Sequence, residues 1–307
     1  MGVRVGATIS QLEFLVEAAE AGNMTTAAER LHTSQSNLSV GIAKLERTLG
    51  VELLVRRRSK GVLLTPAGAD AAARARDILH AVRELEDSAR AGRGALDGSL
   101  SIGCFMPLTS FYAPALLRSL QERAPELEVS VREASLDVLH RLVRDAELDL
   151  ALVYDQRLPA DLRFQRLASV RPHVIVAPDG ALARRASVSL ADLVDETMVT
   201  YDLPFTMERS RQLFASQGLP VPHEVLATSI ESERAFVAAG VGFSILNQRW
   251  ATDRTAAGAE VRMLELTDAV QPLGLGVITR SVAPSRKVAL ALELLGAEAA
   301  RRHPAAG

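Results

Sequence analysis

The chain has 307 residues, a formal net charge of −2, and 48% apolar but only 4% aromatic residues; it can bury aliphatic, alanine-rich cores, and its length suggests two domains or a small domain joined to a bilobed one. A single cysteine excludes an internal disulfide framework and fits a reducing compartment. No basic-then-apolar leader opens the sequence and no run nears the roughly 20 apolar residues of a membrane span, so a soluble, cytoplasmic protein is expected.

The first segment predicts a helix. Ser10 and Glu13 have capping-box spacing, Leu12, Leu15, Val16 and Ala19 follow on one face, and Gly22 is a suitable stop. Thr25 is expected to cap a second, short helix through Ala27, Ala28 and Leu31, with His32 and Thr33 in a tight turn. In the next stretch, TSQSNLSVGIAKLE, Ser34 is suited to cap a helix whose apolar positions Leu38, Ile42, Leu45 and Leu49 share a face; Gly50 ends it. Two short helices, the second with a polar first turn, form the helix-turn-helix pattern. VELLVRRRSKGVLLT then reads as a β-hairpin with Ser59, Lys60 and Gly61 near its tip. Near-neutral overall charge does not exclude nucleic acid. Arg56, Arg57, Arg58 and Lys60 stand almost together, with Lys44 and Arg47 upstream, and local patches decide where phosphates bind.

Thr65-Pro66 restarts a helix that nothing interrupts to about Ala91. Ala71, Ala75, Ile78, Val82, Leu85 and Ala89 make a heptad seam along it, which implies a partner helix. GRGALDG, from Gly92 to Gly98, is a linker. Beyond it, SLSIGC, LEVSVRE and LDLALVY alternate with helices, a βαβαβ start and so a mostly parallel sheet. HVIVAP, TMVTY, FSIL, VRMLEL and LGLGVIT supply further strands, and a last helix runs from about Arg286 to Arg301. The expected division is 1–65 winged helix-turn-helix, 66–91 linker helix, 92–98 hinge and 99–307 a two-lobed α/β part.

These blocks resemble, in order, the LysR-type transcriptional regulators: TTAAERLHTSQSNLS the signature helix-turn-helix, LERTLGVELL the approach to the wing, LTPAG the start of the linker helix, LDLALV and VAAGVGFSIL stretches of the effector half. The resemblance implies an α-rich N-terminal winged helix-turn-helix, a long dimerisation helix, and a two-lobed α/β effector domain similar to periplasmic binding proteins. It also implies effector-controlled binding to promoter DNA by a homo-oligomer, a dimer or tetramer. Ser36 stands where the family commonly has proline, and Val40 and Gly41 where it often has basic or amide residues.

For DNA, Gln35 and Asn37 carry amides able to pair with adenine N6 and N7, and Ser34, Ser36 and Ser39 can reach phosphates or bases. Thr25 and Thr33 suit phosphates near helix starts, although Thr25 also reads as a plain cap. Lys44, Arg56, Arg57, Arg58 and Lys60 supply the salt-sensitive share. For an effector, positions beyond strand C-termini are favoured: Cys104, Phe105, Met106 and Thr109; Tyr201, Asp202, Leu203 and Pro204; Thr228 and Ser229; Phe243 and Asn247. Helix starts near Thr109 and Ser229 could face an anion. The loop chemistry suggests a small, partly apolar ligand with one carboxylate.

Catalysis is not expected. Cys104 has no histidine tied to it, and His80, His140, His173 and His223 are scattered. No HExxH or paired CxxC offers a metal site, and GVG at Gly240 and GLG at Gly274 lack a dinucleotide-loop context. No cofactor is implied. The alternative function is a ligand-binding protein whose N-terminal part mediates assembly rather than DNA recognition.

Overall fold

The structure, a computed structural model, describes residues 6–57, 61–90, 96–280 and 284–304, without the side chains of 56, 57, 80, 83, 84 and 86–90. Arg58, Ser59, Lys60, residues 91–95 of the linker, and the side chains of Arg56, Arg57 and Ala89 lie outside that description.

The N-terminal part is three helices and a hairpin. Helix α1 (Ile9–Ala21) is capped by Thr8 rather than Ser10: Thr8 Oγ1 accepts from the Gln11 amide at 3.4 Å and Gln11 Oε1 from the Thr8 amide at 3.1 Å. Two overlapping capping boxes compete here, and the earlier one keeps Ile9 and Ser10 within the helix. Helix α2 (Met24–Arg30) is capped by Asn23, whose Oδ1 accepts from the amides of Thr25 at 2.7 Å and Thr26 at 3.3 Å. Thr25 therefore lies inside the helix; asparagine caps at least as well as threonine, and here it covers two amides. Helix α3 (Gln35–Leu49) starts at Ser34, which accepts from the Asn37 amide at 3.1 Å, and ends at Gly50 in the left-handed region. Its Leu38, Ile42 and Leu45 are fully buried, but Leu49, read as part of the same face, is 48% exposed.

Strands β1 (Leu54–Arg57) and β2 (Gly61–Leu64) pair antiparallel with Val55 opposite Leu63. The hairpin is pinned to the end of α1 by the Val62 amide, 2.9 Å from the Gly22 carbonyl. Gly61, at φ 79, is required there: a Cβ would lie 2.2 Å from that carbonyl oxygen. The Glu46 carboxylate accepts from the Leu53 and Leu54 amides at 2.8 and 3.2 Å, fixing the turn into the hairpin. Helix α4 (Pro66–Arg90) follows, its first turn closed by Thr65 Oγ1, which accepts from the Gly68 amide at 2.9 Å. Ala72 of α4 joins Leu15, Leu45 and Leu53 in one core.

The C-terminal part has two lobes. The first contains β3 (Gly98–Phe105), α5 (Met106–Arg123), β4 (Leu127–Ala134), α6 (Leu136–Arg144), β5 (Leu150–Tyr154) and β6 (Arg163–Val170). The chain then crosses to β7 (His173–Val176), β8 (Ser187–Val188), β9 (Thr197–Tyr201), α7 (Pro204–Ser216), β10 (His223–Ala227), α8 (Ile230–Ala238), β11 (Ser244–Leu246) and β12 (Arg262–Leu266). It returns through β13 (Leu273–Thr279) and ends in α9 (Arg286–Arg302). The first sheet runs β4-β3-β5-β13-β6. In the second lobe β11-β7-β12-β8 form one sheet and β10-β9 another, joined where the Val199 amide donates to the Phe243 carbonyl at 2.7 Å and the Phe243 amide to the Thr197 carbonyl at 2.9 Å.

The sheets are less parallel than the sequence suggested. Strand β3 is parallel to β4 and β5, but β13 is antiparallel to β5 and β6, and β11 and β12 are antiparallel to β7. The crossing between lobes accounts for β13, which returns from the other lobe and enters its sheet from the opposite end; β11 and β12 reverse within the second lobe itself. The first core gathers residues such as Leu100, Ile102, Leu150, Leu152 and Val277; the second gathers Val174, Leu190, Met198, Phe214 and Leu264. Among the described residues no helix is long and apolar enough to cross a membrane.

Candidate DNA-binding surface and interlobe cleft

Helix α3 divides its residues cleanly. Leu38 and Ile42 pack with α1 and α2, and Leu45 with Leu15 of α1 and Ala72 of α4, while Ser34, Gln35, Ser36, Asn37 and Lys44 are exposed and Thr33 and Ser39 are half-buried. The exposed front is internally tied. Asn37 Nδ2 donates to Thr33 Oγ1 at 2.9 Å, Thr25 Oγ1 donates weakly to Gln35 Oε1 at 3.5 Å, and the Ser34 and Ser36 hydroxyls lie 3.0 Å apart. These bonds hold the amides at the turn between α2 and α3, where the first turn of a recognition helix meets base edges.

The two unusual positions differ from each other. Val40 is 62% exposed on the front. Gly41 faces inward: a Cβ there would fall 2.5 Å from the Phe14 ring of α1. Glycine at this position lets α1 and α3 approach, so it has no part in the exposed front. Arg47 is exposed on α3, and Arg30 at the end of α2 pairs with Glu17 at 3.0 Å.

On α4, the predicted seam is partly used within the chain. Ala75 is buried against its own domain together with Ala72 and Leu79, and Ala71 packs at the edge of the same core. Ile78 (46%) and Leu85 (69%) stay exposed, and Val82 is half-buried. A heptad stripe cannot distinguish a helix's own domain from a second chain, and here the first turns pack at home. Ile78 instead borders a groove of about 490 Å³ with Ile9, Leu12, Leu49, Val51 and Ala75.

Between the lobes lies a narrow cleft. Phe105 at the end of β3 and Tyr154 at the end of β5 form one wall; Tyr201 at the end of β9, Phe205, Arg209 and Ser210 of α7, Glu233 of α8, and Asn247 and Gln248 after β11 form the other. Strand C-termini thus converge on it, as open α/β sheets favour. Phe105 meets Phe205 edge-on at 5.4 Å and Tyr154 at 6.1 Å. Gln248 ties the lobes, donating to the Tyr154 hydroxyl at 3.0 Å and accepting from Tyr112 of α5 at 3.2 Å. The Tyr201 hydroxyl reaches Met106 Sδ at 3.8 Å. Burial raises the Tyr112 and Tyr154 phenols well above their ordinary pKa.

Of the residues expected to bind an effector, Phe105, Tyr201 and Asn247 line the cleft. Met106 and Leu203 pack against the first core beside it, Ser229 caps α8 by accepting from the Ser232 amide at 3.0 Å, and Asp202, Pro204 and Thr228 are exposed around it. Cys104 and Phe243 are buried in the two cores; Cys104 points to the face of β3 opposite its neighbour Phe105. Burial pushes the Cys104 thiol up to about 12, with the Thr109 hydroxyl pulling weakly the other way. Thr109 lies inside α5, whose cap position is Phe105.

Sequence reasoning missed Tyr154, Phe205, Arg209, Glu233 and Gln248. The strand-end rule applied to LDLALVY would have found Tyr154; no sequence signal marks Glu233, a buried carboxyl on an otherwise ordinary helix. The suspected glycine motifs serve packing: a Cβ on Gly242 would lie 2.0 Å from the Thr197 carbonyl oxygen, and one on Gly276 would meet the Phe164 ring at 2.4 Å. Among the described residues no group of three or more His, Cys, Asp or Glu is placed to hold a metal ion.

Comparison with known proteins agrees with this geometry. The family model for the LysR substrate binding domain matches residues 93–300, and that for the bacterial regulatory helix-turn-helix protein, lysR family, matches residues 9–69. The chain is 31% identical over 242 residues to the DNA-binding transcriptional dual regulator OxyR of Escherichia coli, covering 78% of each chain. It is 26% identical to the uncharacterized HTH-type transcriptional regulator YvbU of Bacillus subtilis, covering 78% of this chain and 82% of that one. Among solved structures, the LysR family regulator HinK of Pseudomonas aeruginosa superposes with a TM-score of 0.62 at 27% identity, over 95% of this chain and 99% of that one. A full-length OxyR variant of Pseudomonas aeruginosa shares the fold, with a TM-score of 0.79 at 24% identity over 99% and 100% of the two chains. With a helix-turn-helix whose polar front is exposed, a long helix and a two-lobed domain closing on a cleft, the chain belongs to the LysR family of DNA-binding transcriptional regulators with an effector-binding domain.

Proposed function

We propose that Ser34, Gln35, Ser36 and Asn37 read an operator in the major groove of promoter DNA, with Thr25, Thr33, Ser39 and Lys44 on neighbouring phosphates. Arg56, Arg57, Arg58 and Lys60 of the wing add the electrostatic share. One observation carries this reading: Leu38, Ile42 and Leu45 of α3 are buried while its amide-bearing first turn is exposed, an arrangement the protein's own folding does not require. CbnR, a structural neighbour with a TM-score of 0.60, was solved with its target DNA; at 24% identity it supports the fold of this chain only.

In this reading residues 1–65 bind DNA, 66–91 dimerise, 92–98 act as a hinge and 99–307 sense the effector. The protein works in the cytoplasm as a dimer or tetramer, and it regulates transcription rather than catalysing a reaction. A second copy covers Ile78, Val82 and Leu85 of α4 and the groove beside them. The effector enters the interlobe cleft, which encloses only about 30 Å³, room for a water or two. A larger ligand therefore binds only by moving the lobes, and it shifts the assembly by its preference for one lobe arrangement.

The test is selection of binding sites from a random duplex library, followed by footprinting over a range of salt. The expected result is a sequence-selective footprint with two half-sites and an affinity that falls with salt. Uniform protection without sequence preference would overturn the proposal.

A further inference from the structure

We infer that the interlobe cleft takes a small amphoteric effector: a flat apolar body with an acid group held by Arg209 and a protonated amine held by Glu233. This rests on the cleft being the effector site, as proposed above, and goes beyond it in naming the ligand chemistry.

Gln248 is answered on both sides, by Tyr112 and Tyr154. Three other polar atoms of the cleft are not. Arg209 Nε, Glu233 Oε2 and Asn247 Oδ1 are buried, line the cleft and have no hydrogen-bond partner. Arg209 gives an Nη2 hydrogen to the Gln271 carbonyl, which leaves Nε for something else. Glu233, 1% exposed, accepts from Ser244 Oγ at 2.6 Å through Oε1. The Tyr201 backbone draws its pKa down slightly but makes no well-formed bond to Oε2.

A guanidinium and a carboxyl thus share one cleft without joining each other, and each is desolvated. Buried groups of this kind are normally paired. A single molecule with opposite ends answers both. A carboxylate fits the planar fork of Arg209, and an ammonium offers donors to Asn247 Oδ1 and to Glu233 Oε2, its positive charge favouring release to solvent of the proton that burial otherwise keeps on Glu233. The walls between them are the rings of Phe105, Tyr154, Tyr201 and Phe205, which suit a flat apolar body. An apolar acid alone would bring neither a donor for Asn247 Oδ1 nor a cation for Glu233, and a ligand with a second acid group in place of the amine would set an anion against Asn247 Oδ1.

The experiment is isothermal titration of the full-length protein with three probes that share one ring: L-phenylalanine, 3-phenylpropanoate and 2-phenylethylamine. The amphoteric probe should bind at least about tenfold tighter than either single-ended one, because a site built for a polar group rejects the analogue lacking it. Glu233→Gln should erase the advantage over 3-phenylpropanoate, and Arg209→Met the advantage over 2-phenylethylamine. Circular dichroism checks that each variant is folded. Asn247→Ser, on a half-buried residue, is the milder variant and should weaken L-phenylalanine while leaving 3-phenylpropanoate unchanged.

Equal or tighter binding of the acid-only probe would overturn the inference. So would binding of none of the three by wild-type protein. A gel shift on the same preparation separates the two readings: sequence-selective DNA binding without probe binding sinks the ligand class and leaves the regulator intact. Probe binding with the expected order but no selective DNA binding upholds the ligand class and sinks the proposed operator contacts.

Discussion

Gln35 and Asn37 are both held in place before any DNA arrives, Asn37 by Thr33 at 2.9 Å and Gln35 by Thr25 at 3.5 Å. Each retains hydrogen-bonding capacity for a base edge, since an amide has two donors and an acceptor with two lone pairs. Replacing both by alanine should weaken operator binding by about 10- to 100-fold, from ~1–3 kcal/mol for one good bidentate contact. Non-specific binding and the salt slope should stay as they were, because the slope counts phosphates. Gel-shift titration of specific and scrambled duplexes at two salt concentrations checks this, and an unchanged specific affinity would rule out the reader assignment. Cys104 illustrates the opposite case. Its burial keeps it protonated at neutral pH, so it is a poor nucleophile despite standing at a strand end.

Among the helices, the contact of α1 with α3 depends on Gly41. Gly41→Ala would gain roughly 1 kcal/mol of helix propensity but place a methyl 2.5 Å from the Phe14 ring, and overpacking of this kind costs about 1–3 kcal/mol. The net expectation is a lower melting temperature, and Phe14→Leu in the same chain should recover part of it. An unaltered melting curve for the single variant would show that Phe14 moves aside freely. Helix α4 carries a different prediction. Its exposed Ile78 and Leu85 and half-buried Val82 belong to the part of the seam that the chain itself does not cover, so Ile78→Asp with Val82→Asp should dissociate the oligomer. Sedimentation velocity reads this directly; a profile like the wild type's would place the interface elsewhere.

For the protein as one body, two buried groups of the second lobe contribute to the pH dependence of stability in opposite directions. Burial raises the Glu233 carboxyl from 4.5 to about 8. Its contribution is complete below pH 4.5 and is lost as pH rises towards 8, because the unfolded chain releases that proton earlier. His173, at the start of β7, is lowered from 6.5 to about 3 by burial first and Arg249 second. Its contribution is complete above pH 6.5 and is lost as pH falls towards 3. The two nearly cancel between pH 4.5 and 6.5, so these groups give a plateau there with losses on either side. Glu233→Gln should remove the alkaline loss and raise stability at pH 8 relative to the wild type, by a few kcal/mol at most. Urea melts of both proteins at pH 6 and pH 8 test it; equal pH dependence would show that Glu233 ionises normally.

The order of parts and the polarity of α3 are legible in the residues alone. Leu38, Ile42 and Leu45 recur at helical spacing behind a polar first turn, and local caps such as Ser34, Gly22 and Gly50 set most of the helix limits, because these signals act over a few residues. Where two signals overlapped, as at Thr8 and Ser10, or at Asn23 and Thr25, the choice was not local to either residue. Long-range packing settled that Gly41 faces Phe14, that Ala75 packs at home while Ile78 does not, and that β13 returns antiparallel. It also assembled the cleft: Glu233, Arg209 and Tyr154 are far apart along the chain, and only a chain that crosses twice between lobes brings a carboxyl, a guanidinium and a ring to one place. Periodicity records which face of an element is apolar; it does not record what that face, or the polar group beside it, will meet.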